Sequence, residues 1–381
     1  MTRTAPAFDE LLAHAESEIV AVDCFPALFP LTKPLVMSTY RLDDGPVLFV
    51  RLTARGGQVG WGEAAASPVM SGENLAGMAS ALRQQLAPGI VGRSAHDRVR
   101  ILRDIRSVMH GNGGVLAAID MAMLDLAGHL LEVPAYELLG GAARRTVPVL
   151  RLIGGSGSFE QDVQDGTDLA AQGYKAFKLK VGVAPLAQEI ETVHALRRQL
   201  GPDALIGADA NMGWDRQTAL RFLQGVEDAG LAFLEQPLPP DSASALAELR
   251  QRTAVPLSID EALHGIGDLR AHLAIGAIDG VSLKSIKLGG VTTTVDVGVV
   301  AHAMGLRVNI AMMMESGLAT SAMIHAACAL PAIDWGLSLG AQWLRDNPFA
   351  LPRCVDGGVA CFTSPGLGVM VDPGLIQSLA P

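Results

Sequence analysis

From Arg145 onward, short apolar runs alternate with helical stretches at a nearly constant interval, and this regularity constrains the fold more than any other feature. The eight runs are VPVLRLI, AFKLK, ALIGADA, LAFLEQ, PLSID, GVSLK, LRVNIA and IDWGL. All but the last are followed by apolar residues at helical spacing, as in PLAQEIETVHALRRQL. Strands and helices alternating over about 190 residues predict an α/β fold, a TIM barrel of the (β/α)8 type modified to (β/α)7β.

A doubly wound parallel sheet is the competing architecture. It would need a glycine-rich phosphate loop after its first strand. The GGSG that follows Ile153 lacks the GxGxxG spacing and the acidic residue about 20 positions further on. The barrel is therefore the favoured interpretation.

The chain before the barrel predicts an α+β capping domain. EIVAVDCFPALF, PVLFVRLTA and QVGWGEA have the composition of strands in a meander, and the ARGG between the last two suits a tight hairpin. Three helical patterns follow, between Glu73 and about Glu132. We expect a capping domain at 1–140 with a tail at 1–18, the barrel at 141–345, and a C-terminal segment at 346–381 that returns to the capping domain.

Composition and charge exclude several classes of function. The 381 residues are 49% hydrophobic, and the formal net charge of −10 is not interrupted by any run of Lys and Arg. Nucleic acid and anionic membranes are therefore not expected partners. The N-terminus MTRTAPAFDELLAHAESE is acidic where a signal peptide would be apolar, and no uncharged apolar stretch reaches the length of a membrane helix. We expect a cytoplasmic protein.

The four cysteines, Cys24, Cys328, Cys354 and Cys361, show no CxxC spacing. This usage fits inert thiols in a reducing compartment better than a disulfide framework or a zinc site.

Five consecutive predicted strands end in charged residues, one βα unit apart. The residues are Lys178 with Lys180, Asp209, Glu235, Asp260 and Lys284. The active site of such a barrel lies at the C-terminal ends of its strands, so these side chains should meet.

Three of these residues predict a metal site. Asp209, Glu235 and Asp260 offer only oxygen, which suits Mg²⁺ or Mn²⁺ and disfavours zinc. Mg²⁺ prefers six oxygens, so about three positions remain for water and a substrate carboxylate. Lys180 and Lys284 flank the carboxylates from opposite sides of the barrel mouth.

Lys178 and Lys180 lie two residues apart and so share one face of their strand. A lysine acts as a base at neutral pH only if its ammonium form is destabilised, and a dication or a like-charged neighbour does this. We expect Lys178 to lower the pKa of Lys180 and to contact a substrate carboxylate oxygen. An ion-paired couple on an exposed edge strand is the alternative.

The order KxK, Asp, Glu, Asp, Lys at these spacings resembles the enolase superfamily, and within it the muconate lactonizing enzyme (muconate cycloisomerase) subgroup. The GWGEA strand and the YELLGG turn before the barrel are also similar. The resemblance implies abstraction of a proton α to a carboxylate, a metal-stabilised enediolate, Mg²⁺ as cofactor, and a homo-oligomer between a dimer and an octamer.

Glu315, at the end of the seventh strand, resembles a Glu that the muconate enzymes carry after a similar run. Its alternative role is to cap the next helix, for which Ser316 competes. The mandelate racemase branch has a His on the seventh strand. LRVNIAMMMES contains none, and we expect His325 to be structural.

Two further residues are candidates for substrate binding. Asn211 lies two residues beyond Asp209 on the same face and would orient a ligand or contact substrate, or else support a neighbouring site residue without touching the substrate. Arg151 would grip a distal carboxylate bidentately, or else form an outward-facing salt bridge. Gln236 and Glu261 directly follow metal ligands, so we expect them to support the site from behind.

Two lysines allow more than one reaction. Dipeptide epimerases and N-succinylamino acid racemases use such a pair for 1,1-proton transfer, whereas muconate cycloisomerases use one as a general acid. Dipeptide epimerases of this kind carry DxD on the last strand, where this chain has Leu337 and Leu339. We expect a muconate-cycloisomerase-like isomerase of a small-molecule carboxylate. The alternatives are a racemase or epimerase of N-acylamino acids or dipeptides, a dehydratase of a β-hydroxy acid, and a non-catalytic binding barrel.

Overall fold

The computed structural model describes residues 15–154 and 157–380, and its first sheet is an antiparallel meander. The strands are β1 (Ile19–Val36), β2 (Arg41–Ala54) and β3 (Val59–Ala65), hydrogen-bonded in that order. Gly57 in the β2–β3 turn has φ of 90°, which explains the second glycine of the predicted hairpin. The predicted meander is confirmed.

Helices cover this sheet. They are Leu75–Ala81, continued by the π-helical turn Leu82–Leu86, then Arg98–Arg106 and Gly113–Leu131. The last packs on β3, where a Cβ on Gly62 would lie 2.0 Å from the carbonyl oxygen of Ala118. This helix is long and apolar enough to cross a membrane by length and composition alone, yet 83% of its most apolar 18-residue stretch is buried inside the protein. Its apolar surface therefore forms core.

Seven parallel strands follow one another in sequence order around the barrel. They are β5 (Leu150–Gly154), β6 (Ala176–Lys180), β7 (Leu205–Asp209), β8 (Phe233–Glu235), β9 (Leu257–Ile259), β10 (Gly280–Leu283) and β11 (Arg307–Ile310). The helices that connect or follow them are Phe159–Ala171, Leu186–Leu200, Arg216–Gly225, Ala243–Arg250, Ile266–Ala274, Ser285–Leu288, Val291–Ala303 and Gly317–Ala329. The alternation predicts these elements correctly.

The predicted eighth strand, IDWGL, closes the barrel through a single residue rather than a regular strand. Leu337 bridges in parallel to both Val149 and Ile310. Leu150 N donates to the Leu337 oxygen at 2.9 Å, and Ile310 N donates to the Gly336 oxygen at 3.1 Å. Gly336 has φ of 86°, a left-handed conformation that a glycine adopts without strain. A short 3-10 turn at Gly340–Trp343 follows instead of an eighth barrel helix.

The C-terminal segment returns to the first part of the chain. Its strand β12 (Gly358–Ala360) pairs with β4 (Thr146–Pro148), which precedes the barrel. Leu367 N donates to Asp125 Oδ1 at 2.8 Å, and Leu28 N donates to the Leu379 oxygen at 3.0 Å. A final helix spans Pro373–Ser378. These contacts agree with the proposed course of the segment, while the limits at 140 and 345 stay a prediction.

One disulfide corrects the expectation of four inert thiols. Cys328 and Cys361 are bonded, whereas Cys24 and Cys354 are free. The pair meets because the C-terminal segment passes back over the helix Gly317–Ala329, a tertiary contact that spacing along the chain does not reveal. The cysteines therefore no longer argue for a reducing compartment.

Candidate active site

Register places the predicted charged residues at one level of the barrel. In the strand register, Lys180 of β6 lies beside Asp209 of β7, and Asp209 lies beside Glu235 of β8. Side chains in register share a face, so the ends of β6, β7 and β8 present these groups together. Lys178 and Lys180 are 2% and 9% exposed, and β6 lies between β5 and β7. The exposed-edge alternative is therefore wrong.

Each carboxylate of the site is paired with a lysine. Lys178 Nζ lies 2.8 and 2.9 Å from the two oxygens of Glu235. Lys180 Nζ lies 2.6 Å from Asp209 Oδ2, and Lys284 Nζ lies 2.5 Å from Asp260 Oδ2. The structure thus brings together all six residues that the strand-end pattern singles out.

Burial and ion pairing compete in setting the charges of these carboxylates. Burial alone would raise the pKa of Asp209, but Lys180 and Lys178 lower it to about 2. In Asp260 the lysines Lys284 and Lys287 likewise overcome burial and lower the pKa. The pKa of Glu235 is raised, because burial and the neighbouring aspartates outweigh Lys178. Asp209 and Asp260 are therefore ionised at neutral pH.

The lysines respond in the opposite sense. Burial alone would lower the pKa of Lys178, yet Glu235 and Asp209 raise it. The pKa of Lys284 is raised in the same way by Asp260 and Glu261. Both lysines are ammonium ions in this arrangement, so the carboxylates hold them in the acid form.

The donor set fits a hard dication. Three carboxylates lie close enough to repel one another, as the effect of Asp209 and Asp260 on the pKa of Glu235 shows. Oxygen-only donors of this kind suit Mg²⁺ or Mn²⁺. Within 15–154 and 157–380, no three acidic, His or Cys side chains are grouped to hold an ion, and each of the three carboxylates is ion-paired with a lysine.

Asn211 connects Lys180 to a second carboxylate. Its Oδ1 accepts from Lys180 Nζ at 2.7 Å and its Nδ2 donates to Glu261 Oε1 at 3.0 Å. Burial and the two aspartates raise the pKa of Glu261 to about 7. Gln236 Oε1 accepts from Asp260 N at 2.9 Å. Asn211 therefore orients Lys180, the candidate base. Gln236 holds the backbone of Asp260, a candidate metal ligand.

Glu315 is buried, but it lies five residues beyond the end of β11 rather than at the strand end, and it does not cap the helix that follows. Its oxygens accept from Ala65 N at 3.4 Å and Met313 N at 3.2 Å, and burial raises its pKa to about 7. Ser316 is the N-cap. Glu63 of β3 also serves this helix end, since it accepts from Ser316 N at 2.6 Å. The capping alternative for Glu315 is wrong.

Arg151 does not belong to the site. It pairs in register with Phe177, on the face of the sheet opposite to Lys178 and Lys180. Its guanidinium lies 4.8 Å from the ring centre of Tyr174. The sequence of one strand does not show which of its two faces points into the barrel. Arg151 lies on the face that points outward.

The pattern misses two residues of the site. Ser282 Oγ donates to Glu235 Oε2 at 2.6 Å, and Lys287 Nζ lies 2.7 Å from Asp260 Oδ1. Ser282 shares a strand face with Lys284, and Lys287 follows Lys284 by three residues, one helical turn. Both signals are present in VSLKSIK but are weaker than the strand-end rule.

The loop between β1 and β2 reaches the barrel mouth. Ser38 Oγ donates to the Ala210 oxygen at 2.6 Å and to the Asn211 oxygen at 3.1 Å. The buried hydroxyl of Tyr40 finds no hydrogen-bond partner in the described chain. Lys284 and Asp260 are among the charged groups that affect its pKa. The capping sheet therefore contributes directly to the surroundings of the site.

His325 lies in the core, as expected for a structural residue. Its Nδ1 accepts from Tyr136 N at 3.2 Å, and burial lowers its pKa to about 4. The rings of Tyr136 and Phe362 lie 5.6 and 5.8 Å from its own.

The fold and this constellation agree with two family models. The model described as Mandelate racemase / muconate lactonizing enzyme, N-terminal domain, matches residues 19–140, and the one described as Enolase C-terminal domain-like matches residues 162–375. The chain belongs to the mandelate racemase/muconate lactonizing enzyme family of the enolase superfamily, which confirms the resemblance.

Relatives of known activity are isomerases. Muconate cycloisomerase 1 of Rhodococcus opacus is 32% identical over 365 residues, which cover 94% of this chain and 98% of that protein. The structure of N-succinyl Arg/Lys racemase from Bacillus cereus matches with a TM-score of 0.90 and 28% identity, covering 95% of this chain and 98% of that one. The structure of L-Ala-D/L-Glu epimerase from Bacillus subtilis matches with a TM-score of 0.87 and 26% identity, covering 93% of this chain and 99% of that one. The protein is an isomerase of the enolase superfamily.

Proposed function

We propose that the protein isomerises a small-molecule carboxylate by moving a proton at its α-carbon through an enediolate, in a reaction of the muconate cycloisomerase type. The observation that carries the proposal is the pairing of Lys180 with Asp209 and of Lys284 with Asp260, with Glu235 between them along the strand order. One lysine stands at each end of the carboxylate row. This is the placement that two proton-transfer groups on opposite faces of a substrate require.

Asp209, Glu235 and Asp260 would hold Mg²⁺ or Mn²⁺, which would supply positive charge for the substrate carboxylate. Lys180, oriented by Asn211, would exchange a proton with the α-carbon from one side. Lys284 would act from the other. Lys178 would remain charged beside Glu235 and offer a hydrogen bond to a carboxylate oxygen of the substrate.

A racemase or epimerase of N-acylamino acids or dipeptides is the second candidate, supported by the two lysines and by the named racemase and epimerase relatives. Leu337 and Leu339 at the barrel closure favour the cycloisomerase type, because neither can pair with a substrate ammonium. Expulsion of a β-hydroxyl from the same enediolate has no supporting contact. A non-catalytic barrel is disfavoured because buried charges without a role are costly.

We further propose a cytoplasmic homo-oligomer, between a dimer and an octamer, with neither nucleic acid nor membrane as partner. The relatives' metabolic activities and the net charge of −10 support this.

The test is a panel of muconates, N-acylamino acids and dipeptides incubated with the protein and Mg²⁺ in D₂O. We expect product or solvent deuterium at the α-carbon, lost on chelation and restored by Mg²⁺. Asp260→Asn should lower turnover by about a thousandfold or more, since a misplaced dication forfeits several kcal/mol of charge stabilisation. Full activity after exhaustive chelation, or in Asp260→Asn, would refute the proposal.

A further inference from the structure

Lys287 has its ammonium surrounded by protein acceptors. Its side chain is fully buried, and Nζ lies 2.7 Å from Asp260 Oδ1 in an ion pair. It also donates to the backbone oxygen of Asp260 and, at 3.4 Å, to that of Ser282. An ammonium group has three hydrogens, and two of them go to backbone oxygens, while Asp260 Oδ1 is an ion-pair partner without a hydrogen bond. All the partners of Lys287 are therefore groups of the barrel itself.

Lys284 differs in this respect although it shares the same carboxylate. Its Nζ contacts Asp260 Oδ2 and, at 3.7 Å, the sulfur of Met70. A thioether is a weak acceptor, so only one strong partner holds Lys284. Of the two lysines, Lys284 is free to turn toward a substrate, while Lys287 is fixed to the main chain of two neighbouring strands.

The other two carboxylates show the same division between their oxygens. Asp209 Oδ1 accepts from the backbone N–H of Asn211 at 3.0 Å, and Glu235 Oε2 accepts from Ser282 Oγ at 2.6 Å. Asp209 and Glu235 thus each have one oxygen held by a donor fixed within the barrel, and Asp260 has one oxygen held in an ion pair. Such partners orient a metal ligand and reduce the freedom that it loses on coordination.

We propose that Lys287 is a positioning residue that holds Asp260 through a hydrogen bond to its backbone oxygen and an ion pair with Oδ1, so that Oδ2 is the oxygen available to a divalent cation. The inference rests on the proposed function, because it assigns Asp260 to the metal site. A positioning role and simple electrostatics predict opposite changes in the affinity for a dication when Lys287 is removed. Removing a cation next to the site would by charge alone raise the affinity for a dication, whereas removing a positioning contact lowers it.

The experiment measures Mn²⁺ binding to the full chain by the EPR signal of free Mn²⁺, for wild type, Lys287→Met, Lys287→Gln and Lys175→Met. Lys175 is the matched control, since its exposed ammonium pairs with Asp356 at the surface, away from the site. We expect one ion per wild-type chain, about 10- to 100-fold weaker binding in both Lys287 variants, and no change in Lys175→Met. Circular dichroism establishes that each variant is folded, and the milder Lys287→Gln serves if Lys287→Met is not.

The outcomes separate the two proposals. If the wild type binds Mn²⁺ and a folded Lys287 variant binds it equally or more tightly, the positioning role is wrong while the metal site stands. If the wild type binds no Mn²⁺, the metal site of the proposed function is wrong and the role of Lys287 is refuted with it.

Discussion

At the scale of single residues, Lys180 and Lys284 are held by different carboxylates on strands two apart, so neither can reach the other's side of a bound substrate. For a racemase, Lys180→Ala and Lys284→Ala should abolish turnover and lose α-proton exchange with opposite enantiomers. A cycloisomerase should depend on one lysine for proton transfer and on the other mainly for its charge. The measurement is solvent deuterium incorporation into each enantiomer of an identified substrate.

Lys175→Met again serves as the control for loss of a lysine. If both alanine variants exchanged both enantiomers at wild-type rates, neither lysine would be the base.

The sequence predicts the six charged residues of the site because two independent rules coincide in them. Asp209 and Glu235 end apolar runs, and a barrel gathers strand ends at one mouth. Arg151 shows the limit of this reasoning. Its strand alternates correctly, but only pairing with the neighbouring β6 decides which phase faces inward. Lys287 lies after the strand, in the short helix Ser285–Leu288, which no strand rule covers.

At the scale of elements, the buried His325 should make the helix Gly317–Ala329 sensitive to acid. Its pKa is lowered from 6.5 to about 4, so below pH 6.5 the unfolded chain binds a proton that the folded protein excludes. The free energy of unfolding is therefore unaffected by the protonation of His325 above pH 6.5. It decreases by up to about 3 kcal/mol as the pH falls toward 4.

His325→Gln removes this proton uptake, so its stability should fall less steeply than that of the wild type between pH 6.5 and 4. Urea unfolding at several pH values measures both slopes, and His302→Gln, at an exposed helix position, controls for loss of a histidine. Parallel slopes for wild type and His325→Gln would contradict the prediction.

The contact between β3 and the helix Gly113–Leu131 depends on the absence of a side chain at Gly62. A Cβ there would lie 2.0 Å from the Ala118 oxygen and 2.6 Å from the Ala122 nitrogen, both backbone atoms that cannot step aside. Gly62→Ala should therefore cost about 3 kcal/mol or more of unfolding free energy.

Gly267→Ala is the matched control, because a Cβ at Gly267, in the helix Ile266–Ala274, meets nothing within 4 Å. We expect it to be neutral or slightly stabilising. Chemical denaturation compares the two, and similar midpoints would show that the helix can move away from β3 at little cost.

Elements with a strong apolar periodicity are predictable from the sequence. Elements whose geometry is set by the closing of the barrel are not. The runs of β5 to β11 carry their own apolar signal. IDWGL carries one too, yet only Leu337 forms bridges, because the two barrel edges that it joins decide its geometry.

At the scale of the whole molecule, the C-terminal segment completes both parts of the fold. It pairs with β4 through β12 and contacts Asp125 of the capping helix. The glycine-rich turns DGG and SPGLG indicate that the segment leaves the barrel, but its partners are set by tertiary packing. The disulfide follows from the same packing, so an inventory of cysteines alone could not predict it.

The bond between Cys328 and Cys361 should therefore stabilise the whole chain rather than one element. The two residues are 33 apart in sequence, and cross-linking a loop of this size lowers the entropy of the unfolded chain by the equivalent of about 3 to 4 kcal/mol. Cys361→Ser should lose roughly this amount in urea unfolding. Cys354→Ser, which removes a free and only half-buried thiol, is the control and should change little.

Dithiothreitol gives a second measurement that involves no substitution. It should destabilise the wild type and Cys354→Ser alike, and leave Cys361→Ser unaffected because that variant has no bridge to reduce. Alkylation and mass measurement of the purified protein count its free thiols. Two free thiols are expected, whereas four, together with a wild type insensitive to dithiothreitol, would mean that packing alone holds the segment against the helix Gly317–Ala329.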